Sequence, residues 1–289
     1  MDLTTVLWLA AATLLAGVQL FFQKVVAQQK RNSAFNGMLM YGLSGAMAFI
    51  ILFALYSIPE RWEYVGLFAL AAGAVHAIGN FIRIEALKHI DSIIYFPLNK
   101  MLGPLLVVIG GVVWFADPLS TREYVGIALS LCVPLLLVSS VEHHRQNNLR
   151  MGLIFVVVST ALTSIGVLLT KQGLLYDKDV LFLMGISQFA GLVSSTIIFL
   201  REQAVRAGKN FGMSKEDVRL GLLAGVLAFL SFSALLKAMS TGFISLVYVI
   251  HAHYILVPII LSVWWYREHV NSRKVIAVVV SCLAITLLV

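Results

Sequence analysis

Two short stretches of this 289-residue chain set titratable bases among aromatic rings inside long apolar runs. One is YFPLNKMLGP, residues 95–104, which places Lys100 next to Asn99, between Pro97 and Pro104, with Tyr95 nearby. The other is YVIHAHYILVP, residues 248–258, which holds His251 and His253 among Tyr248, Tyr254 and Pro258. Lysine brings a compact positive charge with three donors, and histidine can also exchange a proton near neutral pH. Flanked by aromatic rings and Asn99, the two bases make a cradle for a carboxylate or a phosphate. On a helix, Pro97, Lys100, Gly103 and Pro104 share one face, as do Tyr248, His251, Tyr254 and Pro258; His253 points largely away.

A charge at this depth needs a reason. An unneutralised lysine at the centre of a membrane helix costs roughly 2.5–3.5 kcal/mol on insertion scales, so it normally faces protein or a water-filled cavity. The competing reading has Lys100 paired with an acid of a neighbouring helix, fixing packing alone. A third stretch sets His76, Asn80 and Arg83 at i, i+4 and i+7, with Gly73 above them. That stripe is either a second wall of the same cavity or an interhelical hydrogen-bond seam. Glu85, between Arg83 and Lys88, reads as a local ion pair. Lys24 and Lys171 fall at the ends of their apolar runs and read as headgroup anchors.

The elements that must position these residues are membrane helices. The chain is 60% hydrophobic and only 12% charged, with a mean hydropathy of +0.92, against about a quarter charged in soluble domains. Apolar runs near 3–22, 37–58, 64–82, 90–115, 122–141, 151–170, 180–200, 218–238, 243–266 and 274–289 are each of a length to span as a helix. The short alternating segments of a transmembrane barrel do not occur. The fold class is therefore all-α: a polytopic membrane protein of ten transmembrane helices. The opening Met1-Asp2-Leu3 lacks a basic leader region, so the first run reads as a span and not as a cleaved signal. Cys132 and Cys282 lie in apolar helices and read as buried, reduced thiols. The net charge of +7 fits basic loops against anionic headgroups and no nucleic acid.

A polar break at 142–150 divides the chain. An offset of 151 superposes WFADPLSTREYVGIALSLCVPLLLV (114–138) on WYREHVNSRKVIAVVVSCLAITLLV (265–289) and pairs Lys100 with His251. An offset of 149 pairs Leu87-Lys88 with Leu236-Lys237, and one of 147 pairs Lys24 with Lys171 and Phe35 with Phe182. Residues 1–141 and 151–289 then form two five-helix repeats around a linker at 142–150. Five is odd, so the two repeats must be inverted in the membrane, an arrangement used by transporters with a midplane site.

The two halves, the ALKHIDS and LLKAMST segments, and the motifs DPLSTREYVG and EHVNSRKVIA resemble the drug/metabolite transporter superfamily in its ten-helix form with two EamA-type domains. Asp117 stands where that signature has glutamate, and Ala277 where it has glycine. The resemblance implies transport, with substrates ranging over amino acids, nucleotide-sugars, sugar phosphates, choline-like cations and drugs. It also implies that the fourth helix of each half lines one central cavity, which would put Lys100 and His251 across the same chamber.

Orientation divides the two kinds of reasoning. The odd-numbered loops carry 15 of the 21 basic residues and the even loops 5. The positive-inside rule then puts the odd loops in the cytoplasm of a cell (inner or plasma) membrane, with both termini outside. The resemblance implies termini inside.

The expected function is secondary transport of a small organic metabolite, an amino acid or another carboxylate-bearing solute, by alternating access. Lys100, His251, Asn99, Tyr95, Tyr248, Tyr254, His76 and Asn80 are the expected binding residues. Pro97, Gly103, Pro104 and Pro258, with Gly110 and Gly111, are the expected bending points. Membrane lipids are the expected surroundings and protons the candidate coupling ion. No cofactor or metal is expected, and the absence of Walker, His-Glu-x-x-His and Gly-x-Ser-x-Gly motifs points away from ATP-driven transport and from an enzyme. No acid lies deep in a span, so the cargo is expected to be anionic or zwitterionic. The alternatives are a larger anion, such as a nucleotide-sugar or lipid phosphate, and a non-transporting receptor or assembly subunit on the same fold.

Overall fold

A computed structural model describes residues 1–28, 33–55, 58–86, 89–90, 92–137, 149–177, 179–205, 214–266 and 272–289. Side chains are described throughout these except at 23–28, 33–34, 84, 92–94, 96, 202, 205, 262 and 265–266. Lys24 and Lys88, which the sequence reading singled out, therefore lie outside the described side chains.

In lipid every backbone donor and acceptor must be satisfied within the chain, so apolar runs of this length become helices. The described residues form α1 (Leu3–Gln28), α2 (Ser33–Leu55), α3 (Trp62–Ala86), α4 (Ser92–Phe115), α5 (Thr121–Leu136), α6 (Leu149–Tyr176), α7 (Val180–Val205), α8 (Lys215–Thr241), α9 (Ile244–Ala252), α10 (Leu256–Tyr266) and α11 (Ser272–Leu288). A single 3-10 turn, His253–Ile255, joins α9 to α10, and together they occupy the ninth apolar run. Eight of the helical runs are long and apolar enough to cross a bilayer. The described parts of α5 and α11 are shorter, at 16 and 17 residues. The linker expected at 142–150 is shortened from one side, because Leu149 and Arg150 already belong to α6.

Helix starts follow local chemistry. Ser120 and Glu123 close a capping box on α5, with the Glu123 carboxylate accepting from the Ser120 N–H at 2.6 Å. Ser214 and Asp217 do the same for α8 at 2.9 Å. Each box satisfies two backbone donors that a helix start would otherwise leave open.

Packing runs mainly between the first five helices and those that follow. α3 packs on α6 as α8 packs on α1; α2 packs on α8 as α7 packs on α3; α4 packs on α6 as α9 and α10 pack on α1. The pairs α2·α7, α4·α9 and α5·α11 are their own counterparts. Exchanging the first five helices for the remainder leaves this pattern unchanged. The small residues of the two loop motifs sit at the α5·α11 crossing. A Cβ added to Gly126 would lie 2.9 Å from the Leu288 side chain, and fully buried Ala277 shares an apolar cluster with Leu137. Arg122, at the start of α5, donates to the Thr286 carbonyl near the end of α11, which fixes the two helices antiparallel.

Three expectations change at this level. Cys132 and Cys282 are exposed on the outer faces of α5 and α11, since each occupies the helix face opposite that crossing. α4 runs unbroken through Pro97 and Pro104, so neither interrupts it. The ninth run does break, but ahead of Pro258: the ring displaces the carbonyl four residues earlier, at Tyr254, and the backbone tightens there into the 3-10 turn.

Candidate functional site

Lys100 emerges from α4 into a chamber that α3, α6, α8 and α9 enclose. Its lobe of about 190 Å³ is lined by His76, Asn99, Lys100, Tyr248, His251 and Tyr254, together with Thr163, Thr170 and apolar residues of α8. The Lys100 ammonium donates to the Tyr254 hydroxyl and lies 4.2 Å from the centre of that ring. Tyr254 also meets His251, ring centres 5.1 Å apart and tilted by 44°. Tyr254 thus stands between the two bases that the 151-residue offset pairs.

The 3-10 turn makes this arrangement. Tyr254 lies within it and His251 in the last turn of α9 just before it, so both side chains project from the point where α9 gives way to α10. His251 is 8% exposed, and its Nδ1 has no hydrogen-bond partner. His253 turns the opposite way, as its spacing predicted: its Nδ1 donates to the Val249 and Ile250 carbonyls, and it faces Ser130 and Pro134 of α5. A buried ring nitrogen without a partner is costly away from a ligand, so His251 is held in a state that a bound group would relieve.

On α3, the His76 Nδ1 donates to the Ala72 carbonyl at 2.9 Å, which leaves Nε2 as the acceptor of the ring. His76 also lines a second lobe of about 290 Å³, with Gln19, Tyr41, Asn80, Gln188 and Ser231. His76, Thr170, Phe232, Leu235, His251 and Tyr254 line both lobes, so the two are continuous. On the α3 stripe His76 and Asn80 line the chamber, and Asn80 Nδ2 also donates to the Tyr41 hydroxyl at 3.2 Å. Arg83 is exposed at the end of that stripe.

Tyr95 departs from expectation. It is 0% exposed, and its hydroxyl bonds Ser159 at 3.1 Å in the seam between α4 and α6. Five residues on a helix amount to about 140° of rotation, which carries Tyr95 off the Lys100 face. The same seam holds Asn99, whose Nδ2 donates to Thr160 Oγ1 at 2.8 Å, and Gly103, whose carbonyl accepts from Ser164 at 3.3 Å. Asn99 and Gly103 both tie the seam and line the chamber. Pro104 lines the chamber beside Lys100, whereas Pro97 and Pro258 do not line either lobe.

Gln19, Tyr41, Gln188 and Ser231 went unremarked in the sequence. The signal was present: Gln19 and Gln188 are amides inside apolar runs, and Tyr41 and Gln188 are related by the 147-residue offset that pairs Lys24 with Lys171 (188 − 41 = 147).

Outside the chamber lining, the junction of α8 and α9 is held by capping. Lys171, 8% exposed and so not a headgroup anchor, donates to the Met239 and Gly242 carbonyls at 2.5 and 3.0 Å, at the end of α8. Asp117, 7% exposed, accepts from the Ser245 N–H at 2.9 Å, in the first turn of α9. A cation at a helix C-terminus and an anion at an N-terminus each oppose the local backbone dipole. Thr5 bonds Thr241 across the same junction at 2.7 Å.

Among known proteins, residues 150–289 match the model of the EamA-like transporter family. A solved crystal structure is similar in fold, with a TM-score of 0.74 over 96% of both chains at 12% identity. No curated protein matches. Residues 150–289 are thus similar to the EamA-like transporters, which indicates a transporter-like function, and the chain is an integral, multi-pass membrane protein.

Proposed function

We propose that this protein is a secondary transporter of a small carboxylate-bearing metabolite, which it binds at Lys100 and passes across the membrane by alternating access. The observation that carries the reading is the Lys100 ammonium, held within the membrane in a lined chamber by a tyrosine instead of a carboxylate. A lysine paired with an acid would be neutralised and structural. Here its charge remains for an incoming anion, with Asn99 and Tyr248 as further donors. His251, which also meets Tyr254, is the group through which a proton would couple, with Lys100, Tyr248, Tyr254 and His76 facing it. In this reading residues 1–141 and 151–289 act as inverted repeats that rock about the chamber, with Pro104 and the turn before Pro258 as bending points. The loop charge bias orients the odd-numbered loops toward the cytoplasm.

The test is flux in proteoliposomes, after a thermal-shift screen of small carboxylates on the purified protein has identified a binder. Lys100→Met is expected to abolish flux of that binder, and His251→Ala to remove its dependence on a pH gradient. Unchanged flux in both variants would sink the assignment. Cysteines introduced at Ser214 are expected to react only with reagents that enter the cytoplasm; labelling from outside reverses the orientation.

A further inference from the structure

The second lobe of the chamber has its own chemistry. It is the larger of the two, at about 290 Å³ against 190 Å³. Among the described residues neither lobe is lined by an aspartate or a glutamate. Beyond the residues it shares with the smaller lobe, its polar lining is uncharged: Gln19, Tyr41, Asn80, Ser187, Gln188 and Ser231. Some of these are already engaged, with Ser231 donating to Gln19 Oε1 at 3.3 Å and Ser187 to the Met184 carbonyl at 3.0 Å. Others are open. Gln188 is 7% exposed and its amide has no hydrogen-bond partner among the described residues. Asn80 spends one N–H on Tyr41, which leaves the Asn80 carbonyl oxygen and the Tyr41 hydroxyl proton available. Buried amides of this kind reject a ligand that leaves them unpaired and accept one that pairs them.

The same lining tells against an ammonium. An α-amino group in either lobe would meet no carboxylate, and one in the smaller lobe would also face the charge of Lys100. The Tyr254 ring, which lines both lobes, already carries Lys100 over its face.

We propose that the cargo is a two-part anion that is not a zwitterion: an acidic group held at Lys100, and an uncharged body rich in hydroxyl or amide groups held by Gln188, Asn80 and Tyr41. This rests on the anion-binding reading of Lys100 and narrows it from carboxylates at large to polyhydroxy or amide-bearing monoacids.

The experiment measures ligand-induced thermal shifts of the detergent-purified full chain with four probes. D-gluconate carries both parts, glycolate the acid, D-glucitol the body, and L-glutamine an amide with a zwitterionic head. The expected order is D-gluconate above glycolate, with no response to D-glucitol or L-glutamine at the same concentration. Gln188→Leu should weaken D-gluconate about tenfold, the usual scale of one lost hydrogen bond, and leave glycolate unchanged. Asn80→Leu gives the same readout should Gln188→Leu fail to fold. Gln188→Glu should lose D-gluconate and gain L-glutamine. L-glutamine matching D-gluconate in the parent chain overturns the proposal, as does equal weakening of glycolate and D-gluconate in both leucine variants. Glycolate binding with no gain from D-gluconate removes the second lobe only. Failure of both acids removes the Lys100 reading along with it.

Discussion

The ammonium of Lys100 donates to the hydroxyl of Tyr254 and lies 4.2 Å from the centre of its ring. This one contact joins α4 to the turn between α9 and α10 and aims the only charge that lines the two lobes among the described residues. A neutral acceptor holds the lysine without cancelling it. The arrangement suits a site that must bind an anion and then release it, since a carboxylate partner would compete with the cargo at every cycle.

Tyr254→Phe separates aim from charge. The ring and its cation–π contact remain, worth about 0.5–2 kcal/mol, but the hydroxyl acceptor is gone. Affinity for the transported anion is expected to fall about tenfold with little change in thermal midpoint, because a hydrogen bond to a charged group is worth about 1.5–3 kcal/mol and the free ammonium regains part of that with water. Tyr254→Leu should weaken binding further. Equal affinity in the parent and the phenylalanine variant would show that the hydroxyl does not position Lys100.

Asp117 and Lys171 carry a different expectation. They sit on opposite sides of the α8–α9 junction, one at a helix start and one at a helix end, and neither lines the two lobes. Asp117→Ala removes an N-terminal cap, at about 0.5–2 kcal/mol. Lys171→Met leaves two buried carbonyls without their donor, at about 1–3 kcal/mol. Both are expected to lower the thermal midpoint by several degrees at unchanged anion affinity in the fraction that folds. A loss of affinity as large as that of Lys100→Met would place them in the binding site instead.

The contrast with Lys100 explains what could be read in the sequence. A lysine amid 20 apolar residues declares itself, and so does its helical partner under a repeat offset; Lys100, His251, Tyr248 and Tyr254 were legible for that reason. Lys171 lies near the end of an apolar run, where anchoring and capping look alike, and only the arrival of the α8 terminus beside it decides between them. Tyr95 was misjudged by proximity along the chain, which the helix converts into a turn away from the chamber. Gln19 and Gln188 were missed because an uncharged amide barely alters the hydropathy of a span. The ten apolar runs, by contrast, follow from composition alone, since lipid leaves the backbone few other options.

Ala116 offers a test of local strain. It follows α4 with φ at 53°, the only non-glycine residue with positive φ among those described. The left-handed region costs an L-residue with a Cβ roughly 1–2 kcal/mol, a penalty glycine avoids. Its backbone turn lets the Asp117 N–H reach the Gly111 carbonyl at 3.1 Å and sets the Asp117 carboxylate toward α9. Ala116→Gly is therefore expected to raise stability by up to about 1 kcal/mol, after the greater unfolded-state freedom of glycine is offset. Thermal denaturation of the two proteins side by side checks it, and a lower midpoint for the glycine variant would show that the turn is set elsewhere.

Pro258 gives the sharpest separation of stability from function. It has no N–H, so the Tyr254 carbonyl loses its helical donor, and the chain answers with the 3-10 turn at His253–Ile255. That carbonyl is directed at α1, where a Cβ on Gly17 would lie 2.8 Å from it and 2.3 Å from the Val257 Cβ. The glycine lets α1 approach the break closely. Pro258→Ala restores the donor and relaxes the turn toward a continuous helix. Such a helix gains a backbone hydrogen bond worth about 0.5–1.5 kcal/mol, but it rotates Tyr254 relative to His251 and draws its hydroxyl off Lys100. The expected outcome is a higher thermal midpoint together with flux reduced at least tenfold. Gly17→Val, which presses on the same break from the other side, should lower both. If Pro258→Ala raised the midpoint and left flux intact, the turn would be a static feature of packing and the bending point would have to be sought in α4.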